Sequence, residues 1–106
     1  MATTLIAGGT VISAVGRRQA DVLVDGESVA AILAPGQAAA MGITADRTID
    51  ATGKYVVPGC VDVHTHMELP FGGTEASDTF ETGTIAAAWG GVTTIVDFAV
   101  QNTGFS

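Results

Sequence analysis

Apolar and polar residues alternate in short stretches through the first half of the chain, with turn-forming residues between the stretches. A period of two is typical of strands that bury one face. The alternation predicts strands over residues 3–6, 10–12, 21–24, 29–33, 48–50 and 55–57. Gly8 and Gly9 predict a turn between the first two strands, and Asp25 and Gly26 predict the turn of a hairpin. Residues 1–57 are therefore expected to form part of an antiparallel β-sandwich domain.

Longer apolar runs replace this alternation after Pro58 and Gly59. Residues 60–63 form a near-continuous apolar strand of the kind that a parallel sheet buries on both faces. Residues 92–98 are rich in β-branched side chains and predict a second strand. The loop that follows this second strand is expected to begin near residue 101.

A helix is predicted between these two strands. Residues 67–76 are rich in glycine and other turn-forming residues and predict a loop. Asp78 as N-cap and Glu81 three residues later predict a capping box, and the helix is expected to end at Gly90 and Gly91.

This order of strand, helix and strand is typical of a βαβ unit. The predicted fold class is α/β with a β-sandwich portion. Residues 1–57 supply strands of the sandwich, and residues 58–106 begin a parallel α/β domain. A (β/α)8 barrel takes about 250 residues, so the chain is expected to be a fragment that holds only the start of such a barrel.

Composition narrows the possible partners. With 4 basic and 11 acidic residues the net charge is −7, which argues against binding to nucleic acid or to an anionic membrane. The sequence predicts neither a signal peptide nor a membrane span. The single cysteine, Cys60, cannot form an internal disulfide and is expected to be a buried structural thiol. The default location is the cytoplasm.

The candidate chemistry lies at the end of the first apolar strand. His64 and His66 are the only histidines, and the pleat of a strand would place both on one face together with Asp62. Two imidazoles at this spacing can converge on one divalent ion, although a chance or packing pair is the alternative. The carboxyl end of a parallel strand is where barrel enzymes place their catalytic groups. A catalytic zinc normally has three protein ligands, so the pair is an incomplete set.

These residues also resemble a known family. Residues 58–66 are similar to the signature P-G-x-[IV]-D-x-H-x-H of the amidohydrolase superfamily. The segments around the signature resemble dihydropyrimidinases and bacterial D-hydantoinases, and they are residues 5–11, 49–59, 67–74, 77–80 and 90–94. The resemblance extends to about Gln101.

The resemblance implies a binuclear metal site, usually with zinc, in which His64 and His66 bind the more buried of two divalent ions. The other family ligands are a carboxylated lysine, two further histidines and a late aspartate, and none of them maps onto this chain. The only lysine, Lys54, precedes the motif. No catalytic residue is therefore assigned, while Asp62 is expected to support the metal region by hydrogen bonding and Asp97 to be a structural or supporting group.

The resemblance also implies the reaction. Family members open a dihydropyrimidine or hydantoin ring to an N-carbamoyl amino acid, a reaction of pyrimidine degradation, and they are commonly homo-tetramers. Their loop after the histidine strand forms part of the substrate wall, so Leu69 and Phe71 are candidate substrate contacts. Packing of the loop is the alternative for both and is the expectation for Met67.

A second hypothesis is a truncated, non-catalytic chain that acts as an association module. Some family relatives have lost metal ligands and act in assembly, but His64 and His66 are both present here. Because the other ligands have no counterpart, the chain alone is expected to have little or no hydrolase activity.

Overall fold

The computed structural model describes residues 1–99. The loop expected from residue 101 onwards lies outside the described residues. The chain divides into two compact units, Met1–Pro58 and Gly59–Ser106.

The first unit is built on one five-stranded sheet with the order β3-β2-β1-β4, in which β5 also pairs with β1. Its strands are β1 (Thr3–Ser13), β2 (Gly16–Asp25), β3 (Ser28–Leu33), β4 (Arg47–Asp50) and β5 (Tyr55–Val56), and a short helix α1 spans Gln37–Ala40. The predicted hairpin is confirmed, since β2 and β3 pair antiparallel on either side of the turn at Gly26.

The predicted turn at Gly8 and Gly9 is wrong, because β1 runs straight through these residues. The register with β2 shifts between Ile6 and Gly9, so that Ala7 and Gly8 stand opposite the single residue Asp21. This is a β-bulge, in which one strand carries an extra residue. Gly8 has a φ of 80°, which a residue without a Cβ adopts readily. A β-bulge and a tight turn both favour glycine because both can require a positive φ, so the sequence alone does not distinguish them.

The expectation of a wholly antiparallel first half is wrong for β4 and β5, which both pair parallel with β1. β3 and β4 run in the same direction, and a parallel return needs a long connection. Residues 34–46, which include α1, provide it. β4 and β5 then follow each other along the same edge of β1.

A few apolar side chains and one carboxylate are buried in this unit. The buried apolar residues are Ala20, Val22, Leu33, Ala38 and Ala51. Asp21 is only 4 % exposed, and its two oxygens accept hydrogen bonds from the backbone N–H groups of Gly8 at 2.9 Å and Gly36 at 3.0 Å. The carboxylate therefore joins the bulge of β1 to the turn before α1.

The second unit contains the predicted βαβ arrangement. Strands β6 (Cys60–Thr65) and β9 (Val92–Asp97) pair in parallel, and helix α2 (Phe80–Trp89) lies between them in sequence. The predicted helix end is confirmed, with Gly90 as the C-cap. Residues 67–76 are not wholly a loop, because β7 (Pro70–Phe71) and β8 (Thr74–Glu75) form a small antiparallel hairpin.

The capping box of α2 starts one residue later than predicted. Thr79 is the N-cap, and its hydroxyl accepts from the Thr82 N–H at 3.0 Å while the Thr79 N–H donates to the Thr82 hydroxyl at 3.0 Å. The contact of the Asp78 side chain is with the Thr82 hydroxyl, at 3.3 Å. The prediction of Asp78 and Glu81 as the capping pair is therefore wrong.

The predicted burial of the second half is also wrong for the described residues. Cys60 is exposed, and Val61 and Val63 are 59 % and 66 % exposed. Within residues 59–99 the parallel sheet has two strands, β6 and β9, so most of the surface of β6 is uncovered. No helix in the described part of the chain is long and apolar enough to cross a membrane.

Candidate metal centre

His64 and His66 meet at the carboxyl end of β6. Their Nε2 atoms are 3.2 Å apart, and the two rings are nearly perpendicular, with centroids 5.0 Å apart. For metal–nitrogen bonds of about 2.0–2.1 Å, this separation corresponds to an N–metal–N angle of about 100–106°, which is close to tetrahedral. The same distance also fits an N–H···N hydrogen bond between two neutral imidazoles. The separation of the two Nε2 atoms is therefore compatible with a shared divalent ion and equally with a direct hydrogen bond.

Two histidines alone are fewer than the three protein ligands of a usual catalytic zinc site. Among residues 1–99 the structure contains no group of three or more histidine, cysteine, aspartate or glutamate side chains arranged to hold a metal ion. Asp62 precedes the pair on the same strand, and its Oδ1 accepts from the backbone N–H of His64 at 3.0 Å. This carboxylate thus bonds the strand backbone beside a candidate ligand.

Asp97 ends β9 and stands opposite Thr65, the residue between the two histidines. Its Oδ1 accepts from the Thr65 hydroxyl at 2.8 Å and from the Met67 N–H at 3.0 Å. The hydrogen bond from Met67 is the main cause that lowers the pKa of Asp97, against an opposing effect of burial; the Thr65 hydroxyl and the charge of His66 lower it further. Asp97 is therefore held as a carboxylate near the histidines.

Phe98 forms an aromatic wall against both imidazoles. Its ring centroid lies 4.7 Å from that of His64 and 5.1 Å from that of His66. The Phe98 N–H also donates to the Thr65 carbonyl at 3.3 Å. Sequence reasoning missed Phe98, although a signal existed: in a parallel βαβ unit the carboxyl ends of both strands lie at one edge, which brings residues 97–98 beside residues 64–66.

Leu69 and Phe71, the candidate substrate contacts, belong to the hairpin segment. Leu69 is half-buried at its base, where its carbonyl accepts from the Ala76 N–H at 2.8 Å. Phe71 is 80 % exposed and lines a shallow concavity formed by residues 70–75. That concavity does not include the two histidines.

A parallel βαβ unit with paired histidines at a strand end is the arrangement of a metal-dependent amidohydrolase, and comparisons with known proteins agree. The family model described as dihydro-orotase-like matches residues 53–104. A D-hydantoinase from Streptomyces coelicolor is 63 % identical over 103 residues, covering 97 % of this chain and 22 % of that protein. The crystal structure of a dihydropyrimidinase from Brevibacillus agri superposes with a TM-score of 0.86 and 51 % identity, over 98 % of this chain and 22 % of that one.

The chain belongs to the dihydropyrimidinase and D-hydantoinase family. It spans about a fifth of the length of the curated relatives that it matches. A more distant solved structure is a D-aminoacylase described as having a binuclear metal centre, which matches 59 % of this chain and 13 % of that one with a TM-score of 0.51 and 42 % identity.

Proposed function

We propose that this chain contributes part of the active site of a metal-dependent hydrolase of cyclic amides, with His64 and His66 as two ligands of a divalent ion, zinc in the first instance. The observation that carries the proposal is the 3.2 Å separation of the two Nε2 atoms. The names of the relatives support hydantoin or dihydropyrimidine rings as the substrate class. The family resemblance would add a second divalent ion, and this chain would supply His64 and His66 to one of the two.

A divalent ion held there would lower the pKa of a bound water molecule and polarise the substrate carbonyl. The chain's own residues hold and surround that position. His64 and His66 would supply imidazole nitrogens to the ion, and the ring of Phe98 lies against both imidazoles. In the overall reaction water adds across the ring C–N bond: its hydroxyl joins the carbonyl carbon, and its other proton goes to the departing ring nitrogen, giving an N-carbamoyl amino acid.

The remaining parts of the proposal concern the surroundings of the site. Leu69 and Phe71 are proposed to contact the exocyclic substituent of the substrate, and Asp62 to stabilise the strand that carries His64. Residues 58–106 are proposed to begin a (β/α)8 barrel and residues 1–57 to belong to a β-sandwich. A cytoplasmic homo-oligomer is the proposed form of the protein.

Metal titration tests the ligand assignment directly. Co²⁺ is added to the chain and to its His64→Ala and His66→Ala variants, and the visible absorption of the bound ion is followed. Displacement of Co²⁺ by zinc then gives the affinity for zinc. Each substitution is expected to abolish the signal, while a Met67→Leu control retains it. Unchanged binding by both histidine variants would refute the assignment and leave the N–H···N hydrogen bond as the explanation of the short distance.

Activity measurements test the second part. The 106-residue chain has two histidines and one lysine in all, too few for the family's binuclear ligand set. It is therefore expected to hydrolyse neither dihydrouracil nor hydantoin measurably, with or without added zinc. Turnover that requires zinc and disappears in His64→Ala would contradict this expectation.

An association module remains the second candidate. The exposed apolar side chains of the second unit, Val61, Val63 and Trp89 among them, favour it. This alternative would be favoured if the parent chain bound no Co²⁺ or zinc and assembled as its concentration rose.

A further inference from the structure

His66 lies just beyond the support that the sheet provides. β6 ends at Thr65, whose partner in β9 is Asp97, so no ladder residue follows to fix the backbone of His66. A ligand on an irregular segment needs other contacts if its ring is to stay in place. The structure shows where those contacts are.

One carboxylate oxygen holds the chain on both sides of His66. Asp97 Oδ1 accepts from the hydroxyl of the preceding residue, Thr65, at 2.8 Å and from the N–H of the following residue, Met67, at 3.0 Å. Thr65 is itself only 8 % exposed, and its hydroxyl also lies 3.3 Å from the Val96 carbonyl. Because both bonds end on the same atom, residues 65–67 cannot move relative to the end of β9 without breaking one of the two hydrogen bonds.

The segment is fixed again two residues later. Glu68 has a φ of 54°, a left-handed conformation that is uncommon outside glycine and persists where contacts enforce it. Its N–H donates to the Asp78 carbonyl at 2.9 Å, and its Oε2 accepts from the Phe80 N–H at 3.0 Å. The chain on the carboxyl side of His66 is thus held independently of Asp97.

We propose that Asp97 is the positioning residue of His66: it binds no metal itself but holds residues 65–67 so that the His66 imidazole faces the His64 imidazole. This inference rests on the proposed function, since it concerns a ligand of the proposed metal site. Both donors reach Oδ1, so Asp97 acts on His66 through the Met67 backbone and the Thr65 hydroxyl, and among residues 1–99 it forms no three-ligand group with the two histidines. Supporting groups of this kind commonly change metal affinity by about 10–100-fold.

Four variants of the full chain test the proposal. Asp97→Leu removes both carboxylate oxygens and keeps the branch at Cγ, and Asp97→Asn keeps an acceptor oxygen but no charge. Thr65→Val removes one donor, and Thr65→Ser restores it. Zinc affinity is measured by competition, and the metal-free arrangement is measured by NMR as the contact between the His66 and Phe98 rings.

Asp97→Leu is expected to weaken zinc binding at least 10-fold and to reduce the contact between the His66 and Phe98 rings, with the His64 contact to Phe98 retained. Thr65→Val is expected to show a smaller loss of the same kind, and Thr65→Ser to resemble the parent chain. Asp97→Asn is expected to fall between the parent and Asp97→Leu.

Equal affinity and equal ring contacts in Asp97→Leu and the parent chain would overturn the proposal. Should Asp97→Leu fail to fold, the threonine pair decides, since indistinguishable Thr65→Val and Thr65→Ser would overturn it as well. Failure of the proposed function has a different signature: zinc affinity would then be insensitive to His64→Ala and His66→Ala, while the metal-free ring contacts would still report on Asp97.

Discussion

At the scale of single residues, short polar contacts and close backbone approaches set the local structure. Asp50 ends β4, and its Oδ1 accepts from the Thr52 N–H at 2.9 Å. Hydrogen bonding from the Thr52 side chain, then from the Thr52 backbone, lowers the pKa of Asp50, with a smaller contribution from the charge of Lys54. A carboxyl whose pKa is lower in the folded chain adds stability above its unfolded pKa, and that stability is lost as the pH falls through the folded value.

Replacing Thr52 should therefore raise the pKa of Asp50. Thr52→Val keeps the shape and the backbone N–H but removes the hydroxyl, which is the largest cause of the shift. NMR titration of the Asp50 carboxyl measures the change, and Lys54→Met serves as the control with a smaller expected effect. A larger rise in Lys54→Met than in Thr52→Val would show that charge, and not hydrogen bonding, is the main cause.

Gly9 is required for a different reason, which is space. A Cβ at this position would lie 2.6 Å from Val56 Cγ2 and 3.0 Å from Ala51 Cβ. Overpacking of this kind typically costs about 1–3 kcal/mol, so Gly9→Ala should lower the free energy of unfolding of the first unit by that amount in a urea titration.

The double variant tests the cause. Val56→Ala removes the closest atom, so Gly9→Ala should destabilise the chain much less in the Val56→Ala background. Additive effects of the two substitutions would show that the contact with Val56 does not explain the loss.

At the scale of elements, helix α2 depends on one pair of threonines. Thr79 and Thr82 exchange hydrogen bonds at its first turn, and loss of such an N-cap typically costs about 1 kcal/mol. Thr79→Ala should therefore increase amide hydrogen exchange in the first turn of α2. Asp78→Ala is the matched control with a smaller effect, and a larger effect of Asp78→Ala would restore Asp78 as the main cap.

The same elements show what the sequence could and could not predict. The hairpin at Gly26 and the end of α2 at Gly90 follow from local signals, and both are confirmed. Neighbouring Asp78 and Thr79 are both good caps, so composition alone could not choose between them. The pairing of β4 with β1 spans 43 residues, as at Thr4 and Arg47, and no local pattern encodes it.

In the candidate site too, some residues could be predicted from local sequence and others could not. His64 and His66 are visible because their spacing of two matches the period of a strand. The contacts of Asp97 and Phe98 with this region join residues about 30 positions apart, and they become predictable only when the two strands are paired in parallel. The side chains that surround the histidines were for this reason harder to find than the histidines themselves.

At the scale of the whole molecule, the second unit exposes much apolar surface among its described residues. Trp89 is 89 % exposed and borders a shallow apolar concavity with Ile85 and Ala88. Exposed apolar patches promote association. The chain is therefore expected to self-associate as its concentration rises, with sedimentation velocity as the measurement and a blue shift of the single tryptophan's emission as a second sign.

A charged substitution should reverse this behaviour. Trp89→Lys is expected to shift the chain towards the monomer, whereas Val15→Lys, at a 99 % exposed position in the turn after β1, should change it little. A chain that stays monomeric at all concentrations, or a Trp89→Lys variant that assembles like the parent, would contradict the expectation.

The central place of β1 in its sheet has a consequence for the order of folding. β1 leaves the ribosome before its partners, and β2 can pair with one of its edges as soon as the hairpin-forming residues follow. The other edge pairs with Arg47–Asp50 and Tyr55–Val56. These partners are the most distant in sequence, and contacts between distant residues form slowly. Among the strands of this sheet, β1 is thus expected to complete its pairing only when the strand made last, β5, joins it.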